Sequence, residues 1–246
     1  MDGKIVAVSG GAQGIGLSTV NLLLSQGARV SAADVDEAKL EQQQQHFEAA
    51  VKEKRVRFQK VDVTVSKEVD AWIEETTEWG GRGVIDAAVN AAGVNLSDTG
   101  AQPDLADTSD SRWAILLGVN LTGMFYCLRS EINNIADGGS IVCISSVQGL
   151  LGFPTSASYA ASKHGVLGLV KSAAKETGER RVRINAVAPG AIDTRMVLEK
   201  DRTDIQTPIR RIGKPEEVAE LILFLLGDKA AFITGSTYSI DGGWAC

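Results

Sequence analysis

The sequence predicts a single-domain α/β fold in which a doubly wound, parallel sheet of about seven strands carries helices on both faces. Three observations predict it. Short apolar runs alternate with amphipathic segments along all 246 residues. The runs are continuously apolar rather than alternating, as in parallel strands that are buried on both faces. The sequence contains no linker-like stretch, so we expect one domain over 1–246.

In the first half of the chain, each strand is a short apolar run, and a glycine or an aspartate often closes it. The predicted strands are 4–8, 28–33, 56–61 and 84–89. The predicted helices are 14–26, a polar segment that contains 42–45, and 66–79. The run at 84–89 is apolar apart from Asp86, which indicates burial on both faces of the sheet.

In the second half the same alternation continues. The predicted strands are 140–145, 182–187 and 236–240. The predicted helices are 104–117, 119–135, 157–177 and 215–226. Pro215 suits the first turn of the last helix, because that position needs no backbone N–H. Strands and helices in this order are typical of a doubly wound sheet.

Composition and charge exclude several classes of protein. A net charge of −6 argues against nucleic acid as a partner. Cys127, Cys143 and Cys246 form no CxxC motif, which favours reduced thiols over disulfides or a metal site. The first apolar run ends at Ser9, too early for a signal peptide, and no run approaches the ~20 residues of a membrane helix. We therefore expect a cytoplasmic protein that binds no nucleic acid, membrane or metal.

A glycine-rich turn joins the first strand to the first helix, where open α/β sheets bind phosphates. Glycines there permit a tight turn and let backbone N–H groups approach a pyrophosphate at the helix N-terminus, as in Rossmann-type folds. Leu17 stands where a P-loop requires lysine, which argues against triphosphate hydrolysis. The alternative is a turn that merely packs tightly. The candidate dinucleotide-binding residues in the turn are Gly10, Gln13, Gly14, Ile15 and Gly16.

Asp34 ends the second strand, near the spacing from the turn at which an acid meets the adenosine ribose. Its carboxylate would accept hydrogen bonds from both ribose hydroxyls of NAD, but it would repel the 2′-phosphate of NADP. The turn from Gly10 to Gly16 also lacks an arginine or lysine that could bind that phosphate. These features predict NAD as the cofactor. The alternative is that Asp34 caps the helix that follows it.

Tyr159 and Lys163 lie four residues apart in a predicted helix, so their side chains share one face. A free phenol titrates at about pH 10, and a nearby cation lowers that pKa because it favours the phenolate. The pair therefore predicts a proton shuttle. The alternative is a buried aromatic ring beside a solvated lysine, which the pair taken alone favours.

Further candidate residues stand where predicted strands end, or close by, at the edge where open α/β sheets bind ligands. They are Asn90-Ala91-Ala92-Gly93, Asn120, Ser145-Ser146 and Pro189-Gly190-Ala191-Ile192-Asp193-Thr194. Together with the glycine-rich turn and the Tyr159/Lys163 pair, their order and spacing closely resembles the classical short-chain dehydrogenase/reductase family. The resemblance extends over essentially the whole chain.

The resemblance implies a role for each catalytic candidate. Tyr159 would exchange a proton with the substrate oxygen, while Lys163 would bind the nicotinamide ribose and lower the pKa of Tyr159. Ser146 would hydrogen-bond the substrate oxygen, although either it or Ser145 could face the substrate. Asn120 would hold a water molecule in a proton relay behind Lys163.

The resemblance also implies contacts to the cofactor. Asp62 and Val63 would meet the adenine, although Asp62 is read equally well as a turn former at the end of a strand. The remaining cofactor contacts would be Asn90, Gly93, Pro189, Ile192 and Thr194, with the last two at the carboxamide.

We therefore expect an NAD(H)-dependent oxidoreductase that interconverts a secondary alcohol and a ketone. Two alternatives are an NADPH-dependent ketoreductase and a non-enzymatic sensor or scaffold that binds a dinucleotide. The family implies a homodimer or homotetramer. The segment 191–213 is predicted to act as a substrate lid. The sequence leaves the identity of the alcohol or ketone open.

Overall fold

The strands form one parallel sheet of seven, in a computed structural model that describes residues 1–96, 102–197 and 207–246. The sheet order is β3-β2-β1-β4-β5-β6-β7, and every neighbouring pair is parallel. This arrangement confirms the predicted fold class. The strands are β1 Ile5–Ser9, β2 Arg29–Asp34, β3 Val56–Lys60, β4 Ile85–Asn90, β5 Ile135–Ile144, β6 Arg183–Pro189 and β7 Thr237–Ile240.

The helices cover both faces of this sheet. They are α1 Gly14–Ser25, α2 Glu37–His46, α3 Glu48–Lys52, α4 Ser66–Gly80, α5 Asp110–Leu117, α6 Met124–Asn134, α7 Ala157–Glu176 and α8 Pro215–Leu226. In the ranges that the structure describes, no helix has the length and apolar character needed to cross a membrane.

The segment before Asn120 differs from its predicted form. Helix α5 begins at Asp110 rather than near 104, because the Ser109 hydroxyl accepts a hydrogen bond from the Arg112 N–H at 3.2 Å and caps the helix there. A π-helical turn at Gly118–Gly123 then joins α5 to α6. Such turns often occur at functional sites, and this one contains Asn120.

Strand β5 begins five residues earlier than predicted, at Ile135 instead of Ser140. Ile85 pairs with Ile135 but Ala87 pairs with Ser140, so the register shifts between these two pairs. Gly138 has a φ of 80°, which permits the irregular backbone there. The residues before Ser140, which include Gly138 and Gly139, are therefore part of the strand.

The core consists of two apolar layers, one on each side of the sheet. One layer packs α4, α6 and α7 against the strands, and the other packs α1, α2 and α8. Trp72 of α4 is fully buried, and its ring N–H donates to the Ser31 hydroxyl of β2 at 3.0 Å. Truncation of such a tryptophan typically costs about 3–5 kcal/mol. Both layers hold the strands rigidly, so the carboxyl ends of the strands form a fixed edge.

Candidate functional site

The glycine-rich turn lies against the end of β4. Gly10 has a φ of 67°, and a Cβ added there would lie 2.7 Å from the backbone nitrogen of Ala92. A Cβ at Gly16 would lie 2.0 Å from the Gly10 carbonyl oxygen. Gly14, with a φ of 54°, faces the Thr194 side chain beyond β6. Any larger residue at Gly10 or Gly16 would push the turn away from the sheet edge.

The N-terminus of α1 opens onto this turn without a cap. Gln13, the residue before the helix, makes no side-chain hydrogen bond to it, and the first turn contains no acidic residue. The first backbone N–H groups and the positive end of the helix dipole are therefore available to an anion. The uncapped helix and the crowded glycines fit the pyrophosphate of a dinucleotide.

Asp34 lies beside the turn, at the end of β2. Its Oδ2 accepts the Ala12 N–H at 3.2 Å, and its Oδ1 accepts the Asp36 N–H at 3.2 Å. Asp36, rather than Asp34, caps α2, because its own Oδ1 accepts the Lys39 N–H at 3.1 Å. The alternative in which Asp34 caps that helix is thus wrong.

Asp62 and Val63 follow β3. The Oδ1 of Asp62 accepts the backbone N–H of Thr64 at 2.8 Å and the hydroxyl of Thr64 at 2.7 Å, which makes it a turn former. Val63 is buried, and a Cβ at Gly123 in the π-helical turn would lie 2.9 Å from its side chain. Contact of either residue with adenine stays a prediction.

Tyr159 and Lys163 lie on one face of α7. The Lys163 Nζ lies 5.7 Å from the centre of the Tyr159 ring and donates to the Ile144 carbonyl oxygen at 3.1 Å. Only 3% of Lys163 is exposed. The alternative of a solvated lysine is therefore wrong, and the cation is held between α7 and the end of β5.

Burial dominates the acid–base properties of this pair. Desolvation raises the pKa of Tyr159 to about 12 although part of the ring reaches solvent, and the hydrogen bond with Ser146 opposes that rise. Desolvation also lowers the pKa of Lys163 to about 8. Lowering of the Tyr159 pKa by the Lys163 ammonium group, which lies 5.7 Å from the ring centre, stays a prediction.

The two serines at the end of β5 face opposite sides. The hydroxyl of Ser145 donates to the Lys163 carbonyl oxygen at 2.9 Å and ties β5 to α7. Ser146 instead lies close enough to Tyr159 to lower the pKa of the phenol, and its Oγ accepts the Gln148 N–H at 3.1 Å. The structure therefore brings Ser146, and not Ser145, to the phenol.

Asn120 clamps the loop after β4. Its Oδ1 accepts the Val94 N–H at 2.8 Å, and its Nδ2 donates to the Val94 carbonyl oxygen at 2.9 Å. A Cβ at Gly93 would lie 3.2 Å from this Oδ1 and 3.3 Å from the Lys163 Nζ. The side chain of Asn120 thus holds the loop after β4 in place, and its role in a water relay stays a prediction.

The segment after β6 leaves the sheet through a narrow neck. Ile192 and Gly213 form a parallel bridge, in which the Asp193 N–H donates to the Gly213 carbonyl oxygen at 2.8 Å. Pro189 ends β6, and Thr194 beyond the neck faces Gly14. The predicted lid over 191–213 falls partly on 198–206, which lies outside the described residues, so the lid stays a prediction.

Glu131 is a residue at this edge that the sequence analysis missed. It lies on α6 with no exposed surface, and its Oε2 accepts the Asn90 Nδ2–H at 2.8 Å. Its Oε1 is the one buried side-chain nitrogen or oxygen without a hydrogen bond among the described residues. Burial raises the pKa of Glu131 to about 7. Its position four residues after Cys127, on the apolar face of α6, is a signal that could have revealed it.

In the described parts of the chain, no three His, Cys, Asp or Glu side chains are grouped closely enough to hold a metal ion.

The chain matches a family profile described as Enoyl-(Acyl carrier protein) reductase over residues 10–245. It is 43% identical over 251 residues to the short-chain dehydrogenase/reductase ABA4 of Pyricularia oryzae, covering 98% of this chain and 92% of that protein. It is 35% identical over 246 residues to the cyclohexanol dehydrogenase of Acinetobacter, covering 98% and 94%. A solved short-chain dehydrogenase/reductase from Serratia marcescens superposes with a TM-score of 0.90 at 30% identity, covering 100% and 99%.

The buried carboxyl of Glu131 predicts a pH-dependent stability. Its pKa is raised from 4.5 to about 7, so the folded state binds more protons than the unfolded state between these values. The contribution of Glu131 to the free energy of unfolding therefore falls as the pH rises through this window, by about 3 kcal/mol. We expect Glu131→Gln to gain stability relative to the wild type between about pH 5 and pH 8, as measured by urea unfolding.

Glu176→Gln is the matched control, because Glu176 is an exposed carboxylate on α7. A difference between Glu131→Gln and the wild type that stays constant with pH would contradict a raised pKa at Glu131.

Proposed function

The chain belongs to the short-chain dehydrogenase/reductase family of oxidoreductases, and we propose that it is NAD(H)-dependent and interconverts a secondary alcohol and a ketone. In this proposal Tyr159 is the general acid/base. The observation that carries it is the proximity of the Tyr159 phenol to the Ser146 hydroxyl, beside the buried ammonium group of Lys163. These three groups lie at the edge that also holds the glycine-rich turn.

Members of this family bind nicotinamide dinucleotides, and the bound nicotinamide ring supplies the hydride acceptor or donor. The pyrophosphate would bind at the uncapped N-terminus of α1, between Gly10 and Gly16. Asp34 would bind the adenosine ribose, and Lys163 the nicotinamide ribose.

Tyr159 would move the proton. With a pKa of about 12, the phenol is protonated at neutral pH and can donate its proton to a ketone oxygen. Ser146 would hold that oxygen through its hydroxyl. In the direction of alcohol oxidation the phenol must first lose its proton, and the charge of Lys163 would favour that loss once substrate and cofactor exclude water from the site.

Charge at the end of β2 supports NAD over NADP. The carboxylates of Asp34, Asp36 and Glu37 lie within four consecutive residues. Lys60 pairs with Asp34 in the sheet, but its ammonium group already binds the Glu37 carboxylate at 2.8 Å. A 2′-phosphate would therefore meet net negative charge there.

An apolar wall supports a cyclic, apolar substrate. Phe153 follows the Ser146 turn, and its ring packs edge-to-face against that of Trp244, with 5.4 Å between the ring centres. Leu150 and Leu151 on the same segment are partly exposed. Cyclohexanol dehydrogenase is among the relatives of this chain. We therefore propose a secondary alcohol on a six-membered carbon ring as the substrate class.

Assembly and location also belong to the proposal. Trp113, Ile115 and Phe125 are exposed apolar side chains on α5 and α6, which a second copy of the chain would cover. We propose a homodimer or homotetramer located in the cytoplasm, without a nucleic-acid or membrane partner.

Replacement of Tyr159 by phenylalanine tests the proton transfer. Tyr159→Phe removes only the hydroxyl, so we expect it to bind NADH normally but to lose about 10²–10⁴-fold in kcat, measured by NADH absorbance. Tyr126→Phe, on α6, is the control and should keep its kcat. A Tyr159→Phe enzyme with near-normal kcat would refute the proposed role, and NADH binding without turnover of any alcohol or ketone by the wild type would favour a sensor or scaffold.

The cofactor preference is tested at Asp34. Asp34→Ser removes the charge that repels the 2′-phosphate, so the ratio of kcat/KM for NAD to that for NADP should fall by about tenfold or more. Asp137→Ser removes an exposed carboxylate at the start of β5, at the opposite edge of the sheet, and serves as the control. An unchanged ratio in Asp34→Ser, or a wild type that prefers NADPH at equal concentrations, would favour an NADPH-dependent ketoreductase.

The substrate class is tested by comparing cyclohexanol with 2-hexanol, which has the same number of carbons in an open chain. We expect kcat/KM to be higher for cyclohexanol, and Trp244→Ala to lower that value by about tenfold because the aromatic wall is lost. Phe232 is a fully exposed aromatic residue that belongs neither to this wall nor to the proposed contact between copies, which makes Phe232→Ala a suitable control. Equal values of kcat/KM for cyclohexanol and 2-hexanol in the wild type would contradict the proposed preference for a cyclic alcohol.

A further inference from the structure

A row of buried hydrogen bonds links the cofactor edge to the interior of α6. The hydroxyl of Ser9 donates to the Asn90 Oδ1 at 3.2 Å, and the Asn90 Nδ2–H donates to the Glu131 Oε2 at 2.8 Å. All three side chains are 1% exposed or less. The carboxylate therefore fixes which way the Asn90 amide points, because an amide that donates to Glu131 must turn its oxygen toward Ser9.

Asn90 occupies the centre of the proposed cofactor edge. Its backbone pairs with Ser9 on one side and with Cys143 on the other. Two residues later, Ala92 lies against Gly10 so closely that a Cβ on the glycine would meet it at 2.7 Å. Gly93, the next residue, lies against Lys163. Asn90 thus lies two and three residues before the backbone positions that contact the glycine-rich turn and Lys163.

We propose that Glu131 is a positioning residue for the dinucleotide: its ionised carboxylate aligns Asn90 and the edge beside it, so binding of the cofactor releases a proton from a side chain without solvent contact. The inference rests on the cofactor binding in the proposed function. It gives a role to a buried carboxyl group that the proton transfer at Tyr159 does not use.

The surroundings of Glu131 contain few groups that could titrate in its place. The thiols of Cys127 on α6 and Cys143 on β5 face it, and burial raises the pKa of each well above its ordinary value, so both remain protonated. Lys163 of α7 lies beyond Cys143. The buried face of α4, which packs on α6, consists of apolar and hydroxyl side chains around Trp72. Among these groups, Glu131 is therefore the one whose charge changes most between pH 6 and pH 7.

Linkage between cofactor binding and the ionisation of Glu131 determines that a proton is released rather than taken up. A charged carboxylate accepts the Asn90 N–H more strongly than a neutral carboxyl does, and that hydrogen bond also favours the ionised form of Glu131. A cofactor that requires an ordered Asn90 binds more tightly to the protein in which Glu131 is ionised. By reciprocity, binding of the cofactor lowers the pKa of Glu131. Lys163, with a pKa of about 8, is already protonated at pH 6.5 and takes up little at that pH.

The experiment measures proton release on NADH binding to the wild-type protein by calorimetry at about pH 6.5, in two buffers of different ionisation enthalpy. If the ionised form binds NADH tenfold more tightly, about half a proton is released per NADH, and the apparent Kd is about threefold weaker at pH 6 than at pH 7, a range below the pKa of Lys163. In Glu131→Gln we expect the proton release to disappear and the Kd to become nearly independent of pH. Glu176→Gln, the exposed control, should behave as the wild type.

Each other outcome is decisive. NADH binding to the wild type with no proton release, or with proton uptake, would overturn the role of Glu131 while leaving the proposed function intact, and this result does not depend on any variant folding. The same proton release in Glu131→Gln as in the wild type would overturn it as well. A wild type that binds neither NADH nor NADPH would defeat the proposed function, and the inference with it.

Discussion

The close approach between the glycine-rich turn and the end of β4 is the constraint on which the site depends. Gly10 and Ala92 come so near that only a residue without a side chain fits between β1 and β4. This contact lies where the strand order of the sheet reverses, between β1 and β4, which is the position at which open α/β sheets bind ligands. Because both strands are buried and rigid, the uncapped end of α1, the Asn90 edge and Lys163 are held in fixed positions relative to one another.

The fold was predictable because its signals are local. Continuous apolar runs closed by Gly10, Asp34 or Asp62 identify buried parallel strands without reference to the rest of the chain. The start of β5 was not predictable from the sequence, because its first residues pair with β4 through a bulge that depends on the partner strand. Similarly, α5 begins at Asp110, later than predicted, because Ser109 caps it. Several neighbouring residues are also of types that can cap a helix, so the sequence does not identify the cap.

The candidate site shows the same division between local and non-local information. The residues at strand ends come together as their positions in the chain imply, since parallel strands share one edge. The properties that depend on packing did not follow from the sequence. Helical spacing brings Lys163 to Tyr159, but only the structure shows that burial raises the pKa of the phenol and that Ser146 opposes this rise. Glu131 was missed because its partner Asn90 lies on another element. Its burial reduces the free energy of unfolding above about pH 5.

The neck formed by Ile192 and Gly213 has a consequence for how this protein could diversify. The Asp193 N–H and the Gly213 N–H each complete a hydrogen bond across it, so the chain leaves and rejoins the scaffold at one point. Extending a segment whose ends are already joined costs little, about 0.6 kcal/mol for each doubling of its length. Evolution can therefore lengthen, shorten or exchange the residues between these ends while the sheet and the side chains at its edge remain as they are.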